Sequence, residues 1–299
     1  MILLTIWPLF ALICLGFLLA RIRFPEPGFW PAAERMNYFL LFPALLMSSL
    51  IDAPVRDPAI LRLGGAAMAT ICLAAALLWI GLRLRPTPAA RFGPALQGVV
   101  RFNTYLGLAI TTSLAGTQGV ERAAVLLAVA VPLVNVLSIL ALTETGPARS
   151  KRTLIRTILR NPLILACAAG IAFAFAGVTL PFEGKRLLKL LAQGSLPLGL
   201  LCVGAALQPA ALKRDFLVLV ANSALRLLAM PVLAGAVGLW FGLGGTEALV
   251  LVIFSAIPTA PTAYVLTRQM NGDGTLMAGL VTAQTLAAVA TIPLVLMLP

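Results

Sequence analysis

Apolar residues follow one another along this chain in stretches of about 20, the length that crosses a hydrocarbon core as a helix, and Pro, Gly and charged residues punctuate the gaps. The stretches fall roughly at 3–20, 35–51, 59–82, 95–116, 122–143, 162–180, 187–207, 213–241, 247–268 and 274–298. The pattern predicts an all-α membrane protein of ten transmembrane helices. One stretch breaks its own rule. "FSAIPTAPTAYVLTRQ" (254–269) carries Pro258 and Pro261 in its middle. Each proline removes an N–H from the helical ladder, so the carbonyls of Phe254 and Ile257 lose their usual donors. In hydrocarbon those groups need partners from elsewhere. The stretch is either a kink tolerated between packed helices or a helix break that lines a site.

Composition agrees with the membrane reading. Of 299 residues, 61% are hydrophobic and 11% charged, with a mean hydropathy of +1.02, which leaves no room for a sizeable soluble domain. The net charge of +12 would suggest nucleic acid in a soluble protein. Here the Lys and Arg residues sit between apolar runs, where membrane topology explains them. With the N-terminus outside, 14 of the 22 positive residues fall in inside loops, among them Arg21, Arg23, Arg91, Arg214 and Arg268, and six fall outside. The positive-inside rule therefore expects both termini on the outer side, which is the periplasmic side if the membrane is a bacterial inner (plasma) membrane. The first run, "MILLTIWPLFALICLGFLLARIRF", has its charges after the apolar segment and reads as a retained span rather than a signal peptide. The four cysteines lie within apolar runs and read as small hydrophobes. No histidine is present, so the commonest metal ligand and neutral-pH proton carrier are both missing.

The most basic loop, 144–161, joins five spans to five, dividing the chain into repeats at 1–143 and 162–299. Because five is odd, the second copy would lie upside down relative to the first, the inverted repeat common among secondary transporters. A shift of 154 residues lays "WPL" (7–9) on "NPL" (161–163), Gly16 on Gly170, Pro43 on Pro197 and Ala59 on Lys213. It also lays "RFNTYLGLAI" (101–110) over the double-proline stretch, so spans 4 and 9 each carry an irregularity in the same relative place. Paired interruptions of this kind point to a transporter binding site. Half-helices beginning near Thr104 and Thr262 would aim free N–H groups and partial positive charge at the break, which favours an anion, most simply a carboxylate. The candidate substrate-binding residues are Arg101, Asn103, Thr104, Tyr105, Pro258, Thr259, Pro261 and Thr262. Arg101 reads either as a substrate counter-charge or as a snorkelling residue. Arg226, in "ANSALRLLAMP", reads as a structural cation bonded to carbonyls that a neighbouring break exposes. Asn37, Asn135, Gln193 and Gln284 are single polar residues within spans, read as interhelical glue before ligands.

None of the ten acids is securely intramembrane, so a carboxylate proton relay has no obvious residue to run on. No phosphate loop, metal constellation or activated nucleophile is present, and an enzyme is not expected.

At this point the sequence resembles the auxin efflux carrier family. "AIPTAPTAYVLTRQMNGDGTLMAGLVTAQTLAAVATIPLVLML" (256–298) is similar to that family's last two spans, and "RNPLI" (160–164), "GSLPLGLLCVGAAL" (194–207) and "LRLLAMPVLAGAVG" (225–238) are similar to its spans 6, 7 and 8. The resemblance implies a bacterial carrier related to malonate-type carriers and plant PIN-type transporters. It implies the fold of sodium/proton antiporters and bile-acid symporters, in which spans 1, 2, 6 and 7 form a scaffold. Spans 3–5 and 8–10 would then form a moving transport domain, with broken spans 4 and 9 crossed. It puts the family's crossover asparagine at Asn103 and its span 9 proline at Pro258 or Pro261, and it makes a homodimer through the scaffold plausible. The long central loop of the plant proteins is lacking, and their second crossover asparagine has no match. The expectation is a carrier of a small organic anion, a mono- or dicarboxylate, working by elevator-type alternating access without a cofactor; its coupling ion is Na+, H+ or none. The alternatives are a sodium-coupled symporter on the same fold and a membrane sensor that moves nothing.

Overall fold

A computed structural model describes residues 2–51, 58–143, 162–177 and 181–297. The basic linker 144–161 lies outside the described residues. Among the described residues the chain is helical, without strands. Helix α1 is Ile2–Arg21. Helix α2 (Phe29–Met36) runs through a π-helical turn, Asn37–Leu41, into α3 (Phe42–Ile51). Then come α4 (Pro58–Leu84), α5 (Ala89–Val100) and α6 (Thr104–Leu142). After the linker, α7 (Pro162–Ala176) and α8 (Phe182–Ala205) lead to a 3-10 turn, Pro209–Lys213. Helix α9 (Phe216–Ala224) passes through a second π-helical turn, Leu225–Ala229, into α10 (Met230–Trp240). The chain closes with α11 (Gly245–Ala256), α12 (Thr262–Gln269) and α13 (Gly274–Met297).

Five helical stretches among the described residues are long and apolar enough to cross a membrane, and three shorter apolar helices accompany them. The protein is a multi-pass membrane protein. Two boundaries differ from the sequence expectation. No loop separates the stretches expected at 95–116 and 122–143. Instead α6 turns at Gly116, whose φ of 56° and ψ of −148° belong to a region open essentially to glycine alone. The sixth stretch, expected to reach residue 180, is helical only to Ala176, and Gly177 follows at φ 64°.

Packing sorts the helices into two groups. Helix α1 lies along α8, and α3 packs against both α7 and α8. Small residues make that first contact close, because a Cβ on Gly16 would collide with the Leu201 carbonyl oxygen and one on Gly204 with that of Ile13. The second group gathers α4, α5, α6, α10 and α11, with α13 against α5, α9 and α12; α6 touches both groups.

The two ends of the second group are tied by charge. At one end Arg91 pairs with Asp215 at 2.6 Å and Asp273 at 3.6 Å, and Arg214 pairs with Asp273 at 2.7 Å and Asp215 at 3.1 Å. The two aspartates also begin helices. Asp215 precedes α9, and Asp273 accepts the Leu276 N–H at 3.0 Å. At the other end Arg122 pairs with Glu247 at 3.0 Å. Turns that the charge count assigns to one side of the membrane thus meet at one end.

Candidate functional site

The helical ladder fails at two places, and the two failures touch. Helix α5 ends at Val100, and the chain is extended at Arg101 (φ −81°, ψ 156°) and Asn103 (φ −77°, ψ 97°). Asn103 then caps α6, its Oδ1 accepting the Leu106 N–H at 3.2 Å, the usual work of an asparagine at an N-cap. Helix α11 stops at Ala256, Ile257 is extended, and α12 starts at Thr262 with Pro261 before it. The Asn103 N–H donates to the Pro258 carbonyl at 2.8 Å. Phe102 and Phe254 meet edge to face beside this contact, with centroids 5.5 Å apart.

Every break in a helix strands polar groups, and buried ones need partners. In an unbroken helix the Phe254 carbonyl would accept from the N–H of residue 258 and the Ile257 carbonyl from that of residue 261, but both of those are prolines without an N–H. Arg226 supplies the missing donors. Its Nη2 reaches the Phe254 carbonyl at 2.6 Å and its Nε the Ile257 carbonyl at 2.7 Å. Its Nη1 reaches Val99 at 2.9 Å, a carbonyl whose helical donor, the Asn103 N–H, is engaged by Pro258. Gln284 mends a second set. Its Nε2 donates to the Gly98 carbonyl at 3.0 Å and its Oε1 accepts the Thr259 N–H at 2.9 Å. The Thr259 hydroxyl donates to the Gln97 carbonyl at 3.0 Å.

The two arginines occupy opposite electrostatic positions. Arg226, 1% exposed, lies at the C-terminal ends of α5 and α11. Each end carries roughly half a negative charge, so together they offset one guanidinium without any carboxylate. Arg101 lies on the other side, where α6 and α12 begin and the partial charges are positive. Its Nη1 donates to Asn135 Oδ1 at 3.1 Å and its Nη2 to Thr262 Oγ1 at 3.3 Å, both neutral acceptors. Close by, the Nδ2 of Asn103 is buried without a hydrogen-bond partner. Two helix N-termini, a guanidinium and an open amide donor make a place where negative charge is favoured.

Arg101, Thr104, Asn135, Pro261 and Thr262 are partly buried, whereas Asn103, Tyr105, Pro258 and Thr259 are buried. The partly buried set marks the side from which the break can be reached. Tyr105 packs edge to face on Phe42 of α3 at 4.9 Å and lies against Gly199 of α8, where a Cβ would come within 2.7 Å of its ring. Asn37 is fully buried beside the same Gly199 and exchanges two hydrogen bonds with Ser195, at 3.0 and 2.9 Å. Gln193 is exposed on α8 and is not brought to the break.

Sequence reading passed over Gln97 and Asn222. Both are buried next to the breaks: Gln97 Nε2 donates to Thr267 Oγ1 at 3.0 Å, and Asn222 accepts from Gln284 at 3.0 Å and donates to the Ala95 carbonyl at 2.8 Å. The signal was present in each case, an amide side chain within an apolar run.

None of the curated proteins matches the chain. The family model described as "Membrane transport protein" matches residues 140–296, just over half of the chain. The match takes in the double-proline break and Arg226, and it joins a fold of apolar helices to a family of transporters: the chain belongs to the membrane transport protein family, that of the auxin efflux carriers.

Proposed function

We propose that the protein is a secondary carrier that moves a small organic anion, a mono- or dicarboxylate of malonate-like or auxin-like character, by elevator-type alternating access. The observation that carries the reading is the convergence of the α6 and α12 N-termini with Arg101 and the unpartnered Asn103 Nδ2. A carboxylate meets there the donors and charge it needs. Arg101, Asn103, Thr104 and Thr262 contact the anion. Tyr105 and Thr259 shape the pocket, and Pro258 and Pro261 hold the break open.

In this reading the ten spans are α1, α2 with α3, α4, α5 with 104–115, 117–142, α7, α8, α9 with α10, α11 with α12, and α13. The inverted repeat is supported by contacts as well as by sequence. Gly16 meets the backbone of Leu201, and Gly170 meets Met47 and Leu50. Subtracting 154 takes Leu201 to Met47 and Gly204 to Leu50, so related glycines face related positions. Spans 1, 2, 6 and 7 form the scaffold, and the charge-tied second group moves against it with spans 4 and 9 crossed at their breaks. The charge count supports an inner-membrane location with both termini periplasmic, the Arg91–Asp215–Asp273–Arg214 cluster lying on the cytoplasmic side.

The test is flux. Purified protein in liposomes should move at least one radiolabelled anion from a panel that includes malonate and indole acetate. Wild-type protein that moves none of them, and is not stabilised by any in a thermal-shift screen of mono- and dicarboxylates, overturns the reading. A second reading, a sodium-coupled symporter, has one observation in its favour: the buried Oε1 of Gln97 has no hydrogen-bond partner and would suit a cation. Flux that requires sodium selects it.

A further inference from the structure

Away from the break, an apolar groove of about 440 Å³ lies between α1 and α13. Ile6, Trp7, Phe10, Cys14 and Leu18 line it from α1, and Val289 closes it from α13. From Ile6 to Leu18 at about 1.5 Å per residue it runs roughly 18 Å, somewhat more than one leaflet of a hydrocarbon core about 30 Å thick. The stripe continues past Leu18. One turn further on the same face stands Arg21, exposed, its guanidinium 5.5 Å over the Phe17 ring, and Arg23 is exposed just beyond. Among the described residues neither joins an ion pair.

We infer that this groove holds one acyl chain of an anionic phospholipid whose phosphate rests on Arg21 and Arg23. The pairing of an apolar channel one leaflet long with two free cations at its mouth fits a lipid of net negative charge better than a zwitterionic one: both bring phosphate oxygens to the arginines, but the ammonium of a choline headgroup offsets the attraction that a net anionic lipid keeps. The site is independent of the substrate site: its residues lie on α1 and on a part of α13 beyond Gln284. Its position has a mechanical meaning under the carrier reading, since α1 belongs to the scaffold and α13 to the moving unit. A lipid seated between them is held or released as the two units shift.

The experiment is native mass spectrometry of the full detergent-purified chain, titrated with phosphatidylglycerol or phosphatidylcholine of the same acyl chains. The expected result is selective retention of phosphatidylglycerol. The double variant Arg21→Gln, Arg23→Gln should weaken its binding by roughly 30-fold, the loss of two cations near a lipid surface, while its thermal unfolding stays unchanged. Cys14→Trp, which fills the groove, should reduce retention of both lipids. Should that variant misassemble, the arginine pair still decides the matter, because both side chains are exposed. Equal retention of the two lipids by the wild type, or undiminished phosphatidylglycerol binding by the arginine variant, overturns the proposal. So does efficient Cys14–Cys14 cross-linking between two copies, which would give the groove to a second chain.

Discussion

A single guanidinium holds three carbonyls at the heart of this protein. Among the described residues no carboxylate pairs with Arg226; what balances it is the sum of two helix C-termini. Arg226→Ala strands those carbonyls in a buried setting, where each lost charge-assisted bond is worth about 1.5–3 kcal/mol. The expected loss is at least ~3 kcal/mol, seen as a large fall in the thermal unfolding midpoint in detergent. Arg226→Lys, with one nitrogen in place of three, should recover only part of it. An Ala variant as stable as the wild type would show that the breaks hold themselves. Arg101 should behave in the opposite way. Arg101→Gln keeps a donor for Asn135 or Thr262 but removes the charge, so stability should change by under ~1 kcal/mol. Anion affinity should fall by roughly 10- to 100-fold, the worth of one charged hydrogen bond. Binding titrations beside melting curves separate the two arginines.

At the scale of elements, α11 and α12 are short helices separated by a segment that carries two prolines, one span in the proposed reading. Replacing Pro258 and Pro261 together with alanine restores N–H donors to Phe254 and Ile257 and lets a continuous helix form. The Thr262 N-terminus then vanishes from the site. Flux should be lost at equal membrane abundance; normal flux would separate transport from the break. Much of this element was legible in the sequence, because proline acts on the local ladder whatever surrounds it. The half-helices begin where expected, at Thr104 and Thr262. Of the mending partners, Arg226 reads in the sequence as the cation for carbonyls that a break exposes, and the structure seats it on three of them. Gln284 reads only as interhelical glue, because one of its partners lies 186 residues away and a pairing at such a separation leaves no trace in local pattern. The π-helical turns at Asn37–Leu41 and Leu225–Ala229 were not anticipated either. Each sets a buried polar side chain, Asn37 or Arg226, toward a distant helix, and nothing in the residues' own propensities announces the extra residue per turn.

For the whole molecule, the contacts within one helix group differ in kind from those between the two groups. Helices α1 and α8 are locked by backbone contact at Gly16 and Gly204. Substituting leucine for Gly16 should separate them and reduce folded yield. Across the boundary, by contrast, the contacts of Tyr105 are made by side chain on a glycine and on a ring edge, with Gly199 beneath it and Phe42 edge to face beside it. If the two groups move as units, joining Cys14 to a cysteine introduced at Val289, both lining one groove, with a short cleavable bismaleimide should stop flux, and cleavage should restore it. Undiminished flux in the cross-linked protein would mean that the groups stay fixed. The resemblance to the auxin efflux carriers, rather than the repeat, implied a division into two groups. It could not indicate how closely they approach, because packing distance depends on which face each glycine presents.

The reach of Arg226 along the chain also bears on biogenesis. Val99, one of its acceptors, is synthesised long before it, whereas Phe254 and Ile257 leave the ribosome only after the helix that bears it. A nascent segment with an arginine at its centre carries an insertion penalty of about 2.5–3.5 kcal/mol, here set against an otherwise apolar Phe216–Trp240. For a short interval that segment must wait at the translocon or beside earlier helices with its charge incompletely matched. Completion of the proline-broken span releases it, so the last quarter of translation is when the newborn protein is most exposed to quality control.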